Sequence, residues 1–208
     1  DQLASVLCEA GHVMLLDCRS MDTTTIAFDL SAKDLTLLLI NTGAEHSLVG
    51  GEYADRRHDC EAATAALGLE SLRDATLEEV RTLGDERLRR RAHHVVSEIQ
   101  RVQQVADVLQ ADRPADIGAF LSASHESMRD DFEISCEELD VTVEAALEAG
   151  ALGARMTGGG FGGCAIALCR DQDVAAVERR VQAAYESRDW EAPTIWRPLP
   201  SQGAHRID

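Results

Sequence analysis

Between residues 153 and 168 the chain reads Gly-Ala-Arg-Met-Thr-Gly-Gly-Gly-Phe-Gly-Gly-Cys-Ala-Ile-Ala-Leu, a glycine cluster set between an amphipathic helical pattern and an apolar strand. Five of the chain's 15 glycines are Gly158, Gly159, Gly160, Gly162 and Gly163. Glycine in regular structure costs roughly 0.5–1 kcal/mol, so a cluster marks a forced turn or a close approach to a ligand. The spacing Gly158, Gly160, Gly163 also satisfies G-x-G-x-x-G, but that pattern holds a dinucleotide only where a strand passes into a helix. Here residues 154–157 and 164–169 both read as strands, so the loop joins strand to strand. Two readings stay open: a tight hairpin built on left-handed backbone, and a hairpin whose consecutive N–H groups approach an anion.

The rest of the chain supplies the frame for that loop. Residues 1–10 read as the end of a helix closed near Gly11, followed by strands at 12–17, 24–30 and 35–42. Apolar and alanine positions then recur at helical spacing over 52–67, with Gly68 as a stop, and over 86–110, where Leu88, Ala92, Val95, Ile99, Val102, Ala106 and Leu109 fall at steps of four and three. A further helix starts near Pro114 with Ile117, Phe120, Leu121, Ser124 and Met128 on one stripe. Ser135 with Glu138 predicts a capping box for the next, which runs to Gly150. After the glycine loop come a helix over 173–188 and an edge strand over 194–199 between Pro193 and Pro198. The tail beyond Pro200 reads as polar and loose.

From residue 32 onward the order is β-α-β-β-α-β with extra helices in the first crossover. This is a ferredoxin-like α+β layout with helices on one sheet face. Residues 1–31 fall outside the pattern and read as the last helix and hairpin of a preceding domain, leaving 32–208 as a second one. The chain opens at Asp1, without methionine and within a helical pattern, which predicts that the natural protein begins upstream.

Composition narrows the partners. Across 208 residues, 20 Lys and Arg against 37 Asp and Glu give a formal net charge of −17, a surface that repels nucleic acid and anionic membrane. The longest apolar run, near Leu35–Ile40, is strand length and far below the roughly 18 residues of a membrane span. Cysteines at 8, 18, 60, 136, 164 and 169 show no C-x-x-C pair and no Cys/His zinc spacing. They read as buried thiols in a reducing cytoplasm, with Cys164 and Cys169 on opposite strand faces.

Several residues invite chemistry. Residues 41–57 leave a buried strand through a polar loop and enter a helix, a favoured place for ligand contacts. Tyr53, in the first turn of that helix, either packs half-buried or presents its hydroxyl to a polar ligand. His46 and Ser47 are adjacent with no acidic orienter, which disfavours a hydrolase. Arg56 and Arg57 read as a charged helix face. Arg87, Arg89, Arg90 and Arg91 with His93 and His94 read as a solvated face or salt bridges, because the acid excess argues against a phosphate-binding patch.

With residues 153–168 read beside Asp1-Gln2 and the Glu52-Tyr53-Ala-Asp-Arg-Arg57 segment, the chain resembles the galactokinases, within the GHMP small-molecule kinase superfamily, and the stretch 153–164 resembles their third conserved motif. The stretches Arg91-Ala-His-His-Val-Val-Ser-Glu98 with Arg101-Val102, and Ser124 through Asp140, resemble family patterns in matching order, so the resemblance covers the whole chain. It implies an enzyme that uses ATP and Mg²⁺ to phosphorylate the 1-hydroxyl of galactose in the cytoplasm, within the Leloir pathway of galactose catabolism. By the same resemblance Asp1 is the catalytic aspartate that receives or steers the anomeric hydroxyl's proton, and Tyr53 contacts the sugar. Gly158, Gly159, Gly160, Gly162 and Gly163 line the cleft near the transferred phosphate. The family's first motif and its Gly-Leu-Ser-Ser-Ser phosphate loop with the magnesium ligands do not occur here. They are expected in a missing N-terminal domain, and the fragment alone is expected to be inactive. Glu45 stands where many relatives carry another residue before His-Ser. Kinases for N-acetylgalactosamine or arabinose, and galactokinase-like sugar sensors without turnover, share these motifs.

Overall fold

The computed structural model describes residues 2–44 and 51–205. Its centre is a four-stranded antiparallel sheet of β3 (Leu35–Asn41), β4 (Gly153–Thr157), β5 (Cys164–Arg170) and β6 (Thr194–Trp196), in the order β4-β5-β3-β6. That order and the intervening helices give the expected ferredoxin-like α+β arrangement. β3 and β5 pair over their full length, from Leu35 opposite Arg170 to Asn41 opposite Cys164. β6 covers only the Leu39–Asn41 end of β3, so the edge strand is shorter than the sequence pattern suggested. A separate two-stranded sheet joins β1 (His12–Leu16) to β2 (Thr23–Ala27).

The helices are α1 (Gln2–Leu7), α2 (Glu52–Ala66), α3 (Leu77–Arg81), α4 (Glu86–Gln110), α5 (Ile117–Asp130), α6 (Glu137–Glu148) and α7 (Val174–Glu186). Side chains alternate across β3, and both sets are apolar, so both faces of the sheet need cover. Leu38 and Ile40, with Ala154, Met156, Ala165 and Ala167, pack under α6 and α7. On the other face Leu35, Leu37 and Leu168 pack against Ile26 and Phe28 near β2, Ala106 and Leu109 of α4, and Ile117 of α5. The expectation of helices on one face therefore holds only for α6 and α7. A third core joins α2, α3 and the first half of α4 through Ala63, Val80, Ala92 and Val96. On the stripe of α4, Ile99 and Val102 stay exposed.

Local chemistry sets the helix ends. Asp85 caps α4, its carboxylate accepting from the Leu88 N–H at 3.1 Å. The capping box lies at α3, where Thr76 and Glu79 each bond the other's backbone, and not at α6. There the cap residue is Cys136, and the Ser135 hydroxyl donates instead to Asp140 at 2.5 Å. The described part of the tail after Pro200, residues 201–205, is not loose. Gly203 N–H donates to Cys8 O and Ala204 N–H to Ser5 O, both at 2.7 Å, which fastens it along α1. Of the six cysteines only Cys169 is buried and Cys18 is exposed, because just one falls on an inward strand position of the core. Burial pushes the Cys169 thiol up to about 12 and Cys136 up to about 11, so neither is a nucleophile at neutral pH.

Two glycines let α5 lie directly on β4. A Cβ on Gly153 would sit 1.9 Å from Gly118 O, and one on Gly118 would sit 2.3 Å from Leu152 O. Backbone meets backbone, so no side chain can swing away to relieve an added methyl. Gly153→Ala is expected to cost about 3 kcal/mol, read as a lower denaturant midpoint at unchanged m-value. Gly84→Ala, with nothing within 4 Å of its Cβ position, should stay within about 0.5 kcal/mol of the parent.

Candidate functional site

The glycine cluster forms the hairpin between β4 and β5. Gly158, Gly160, Gly162 and Gly163 have positive φ, and so does Phe161 between them at +61°. Glycine reaches these angles freely, whereas Phe161 holds a left-handed conformation at a cost of roughly 1–2 kcal/mol. Its N–H donates to Ile134 O at 2.7 Å, and its ring is partly buried against the core under α6 and α7. Gly160 is pressed against the same residue, since a Cβ there would sit 2.6 Å from Ile134 O. Gly158 and Gly159 are open, with nothing within 4 Å of their Cβ positions. A hairpin anchored at Gly160 and Phe161 and open at Gly158 and Gly159 offers bare backbone to a ligand.

The end of β3 is tied to the other side of this hairpin. Thr42 N–H donates to Gly163 O at 3.0 Å and Thr42 Oγ1 to the same oxygen at 2.7 Å. Gly163 N–H returns a bond to Ala44 O at 3.3 Å. Glu45, His46 and Ser47 lie outside the described residues, and the chain resumes at Gly51, whose φ of +71° turns it into α2. Tyr53, in the first turn, is 74% exposed in this chain. Asp1 lies outside the described residues, directly before Gln2 of α1.

Residues 130–134, between α5 and α6, connect these pieces through their carbonyls. Arg90 Nη1 donates to Asp130 O at 3.2 Å and Arg91 Nη1 to Asp131 O at 2.5 Å. Arg56 Nε donates to Phe132 O at 2.6 Å and Arg56 Nη2 to Glu133 O at 2.8 Å, and Ile134 O receives Phe161 N–H. The last carbonyls of a helix lack internal partners and carry partial negative charge, so guanidinium groups suit this position. Arg91 is only 2% exposed and also pairs with Glu133 at 2.5 Å and Asp59 at 3.5 Å. Its bond to Glu133 holds that carboxyl below the usual range. The arginine run of α4 therefore forms salt bridges as expected, but Arg91 is buried in them and not part of a solvated face. Arg56 is likewise half-buried, and the reading of it as surface charge is corrected. The unused sequence signals were its place one turn after Tyr53 and the lone Phe161 among glycines.

The two supporting stretches of the sequence face each other along α4 and α5. His94 Nδ1 lies 3.0 Å from Ser127 Oγ, and Ser124 Oγ donates to Glu98 at 2.7 Å while accepting from Arg155 Nη1 at 2.9 Å. Ser127 gives its own proton to Asp131 at 2.9 Å, so His94 must be the donor and carry its proton on Nδ1. Its ring stacks on Phe132 with centroids 4.4 Å apart. These residues brace the 130–134 segment from behind. Glu98, Arg101, Ser124 and Arg155 also form the polar end of an otherwise apolar cavity of about 280 Å³ between β1, β2, α4 and α5. Among the described residues, no three His, Cys, Asp or Glu side chains converge as a metal donor set, and no helix is long and apolar enough to cross a membrane.

Comparison with known proteins gives this arrangement a family. Residues 105–187 match the family described as GHMP kinases C terminal. The chain has the fold of a GHMP kinase C-terminal domain. It is similar over its full length to galactokinases: that of Streptomyces coelicolor is 46% identical over 212 residues, covering 100% of this chain and 55% of that protein. Human galactokinase is 44% identical over 189 residues, covering 89% and 48%. A crystal structure of Lactococcus lactis galactokinase complexed with galactose aligns with a TM-score of 0.92 at 31% identity, over 100% of this chain and 55% of that one. A crystal structure of L. major mevalonate kinase in complex with R-mevalonate shares the fold at a TM-score of 0.55 and 22% identity. The chain spans about half the length of the galactokinases it matches.

Burial holds the His94 imidazole down to about 4, against 6.5 for an exposed histidine. Between these values the unfolded chain binds a proton that the folded chain refuses, so stability is lost as pH falls from about 6.5 to 4. The expected loss from this group is of order 3 kcal/mol, measured by denaturant unfolding across that range. His94→Gln should be less stable at pH 7 and lose correspondingly less on acidification.

Proposed function

We propose that this chain is the C-terminal part of a galactokinase. The intact protein transfers the γ-phosphoryl group of ATP to the 1-hydroxyl of α-D-galactose, releasing galactose 1-phosphate and ADP. The observation that carries the reading is the alignment of the whole chain, at 31% identity and a TM-score of 0.92, with a galactokinase complexed with galactose. The open backbone at Gly158 and Gly159 and the exposed Tyr53 support it. Residues 1–31 then belong to a preceding domain and 32–208 to the domain that closes the cleft.

Phosphoryl transfer asks little covalent chemistry of a protein; positioning and charge stabilisation carry it. Asp1 receives or steers the proton of the attacking anomeric hydroxyl, a task suited to a carboxylate. Tyr53 holds the sugar by its hydroxyl, and the 158–163 hairpin brings backbone N–H groups near the transferred phosphate. ATP neutralised by Mg²⁺ supplies the phosphoryl group. The same reading expects the Mg²⁺ ligands in the family's phosphate-loop segment, which is not among the residues of this chain.

Intact protein should release ADP in the presence of galactose and ATP. A panel of sugars that favours N-acetylgalactosamine or arabinose, or binding without turnover, would replace this reading. Asp1→Ala should lower kcat by about 10²–10⁴-fold with unchanged thermal stability. Tyr53→Phe should raise KM for galactose about fivefold, the loss of one hydrogen bond. The 208-residue chain by itself should show no galactose-dependent ADP release in a coupled assay.

A further inference from the structure

Arg56 sits one helical turn after Tyr53, on the same side of α2. Its guanidinium reads two consecutive carbonyls, Phe132 O and Glu133 O, at 2.6 and 2.8 Å. Its Cζ also lies 5.8 Å from the centroid of the Phe161 ring. Phe161 is the one residue of the hairpin that holds positive φ without being glycine, and its N–H and the neighbouring Gly160 are seated on Ile134. One side chain therefore touches α2, the 132–133 backbone and the hairpin. The next residue, Arg57, is exposed and pairs along its own helix with Glu61 at 2.8 Å.

We infer that Arg56 is a positioning residue that locks the glycine hairpin to the first turn of α2, so that the sugar-side tyrosine and the phosphate-side backbone are held in one geometry. The inference rests on the functional reading above for its kinetic consequence, but the lock itself is a property of this chain. Arginine is the side chain the place requires. Two adjacent carbonyl oxygens are matched by the parallel N–H groups of a planar fork, and the flat cation lies against an aromatic ring. Lysine keeps the charge and gives up the second carbonyl. Glutamine gives up the charge and the ring contact as well.

The test has two arms. In this chain, without nucleotide or sugar, Arg56→Gln should speed amide exchange of residues 158–163 by about tenfold or more, with Arg56→Lys between it and the parent and Arg57→Gln unchanged. In the intact kinase, Arg56→Gln should lower kcat by about 10–100-fold per folded enzyme, as expected for a small misplacement of reacting groups. Arg56→Lys should recover part of that loss, and combining Arg56→Gln with Phe161→Leu should add little to either alone. Arg56→Lys keeps the test decisive if the glutamine variant does not fold. Unchanged hairpin exchange in both variants overturns the lock whatever the activity. Faster exchange with an unchanged kcat overturns the positioning role. If exchange responds but the parent enzyme phosphorylates no galactose, the lock stands and the functional reading falls.

Discussion

The run of carbonyls from Asp130 to Ile134 is the joint on which the site's geometry depends. The end of α5 leaves backbone oxygens that no intrahelical N–H can satisfy, and the chain then has to turn tightly into α6. Arg90, Arg91 and Arg56, from two other helices, supply the first four donors, and the hairpin amide of Phe161 supplies the fifth. Charge-assisted bonds at a helix C-terminus are among the stronger polar contacts available, and burial of Arg91 among Asp59 and Glu133 excludes competing water. A segment with no regular structure is thereby held at each of its carbonyls, which favours rigidity.

That rigidity explains how a chain with so many glycines can still present a defined surface. The hairpin is free to take left-handed angles, yet it is gripped at Gly160 and Phe161 by Ile134 and at Gly163 by Thr42 and Ala44. Only Gly158 and Gly159 are left open. Flexibility of sequence is used to reach an uncommon conformation, and contacts on both sides then remove the flexibility. Backbone held in this way suits the phosphoryl transfer proposed above, a reaction accelerated by placement more than by covalent participation.

Much of the fold was legible from periodicity and punctuation. The 25-residue α4 lies at the limits its apolar spacing marked, and the hairpin joins two strands as its flanks required. The strand order follows from the β-α-β-β-α-β sequence of elements. What could not be read depended on tertiary partners. Ser135 has the spacing of a cap but finds Asp140 first, and the tail after Pro200 looks polar yet finds the backbone of α1. Arg91 resembles any surface arginine until Asp59 and Glu133 are brought beside it by folding. The candidate site was legible only as separate stretches. Glycine clustering and a tyrosine at a helix start were visible, whereas the arginine that joins them was not, because its partners are carbonyls and carbonyls have no sequence signature.

The central claim is that Tyr53 and the 158–163 hairpin face a galactose and a nucleotide across one cleft. A crystal structure of the intact protein with galactose and a non-hydrolysable ATP analogue tests it most directly. The account predicts the Tyr53 hydroxyl within hydrogen-bond distance of the sugar and the backbone of Gly158 and Gly159 beside the γ-phosphate. Both ligands bound away from these residues, or a hairpin detached from Ile134 in the complex, would contradict it.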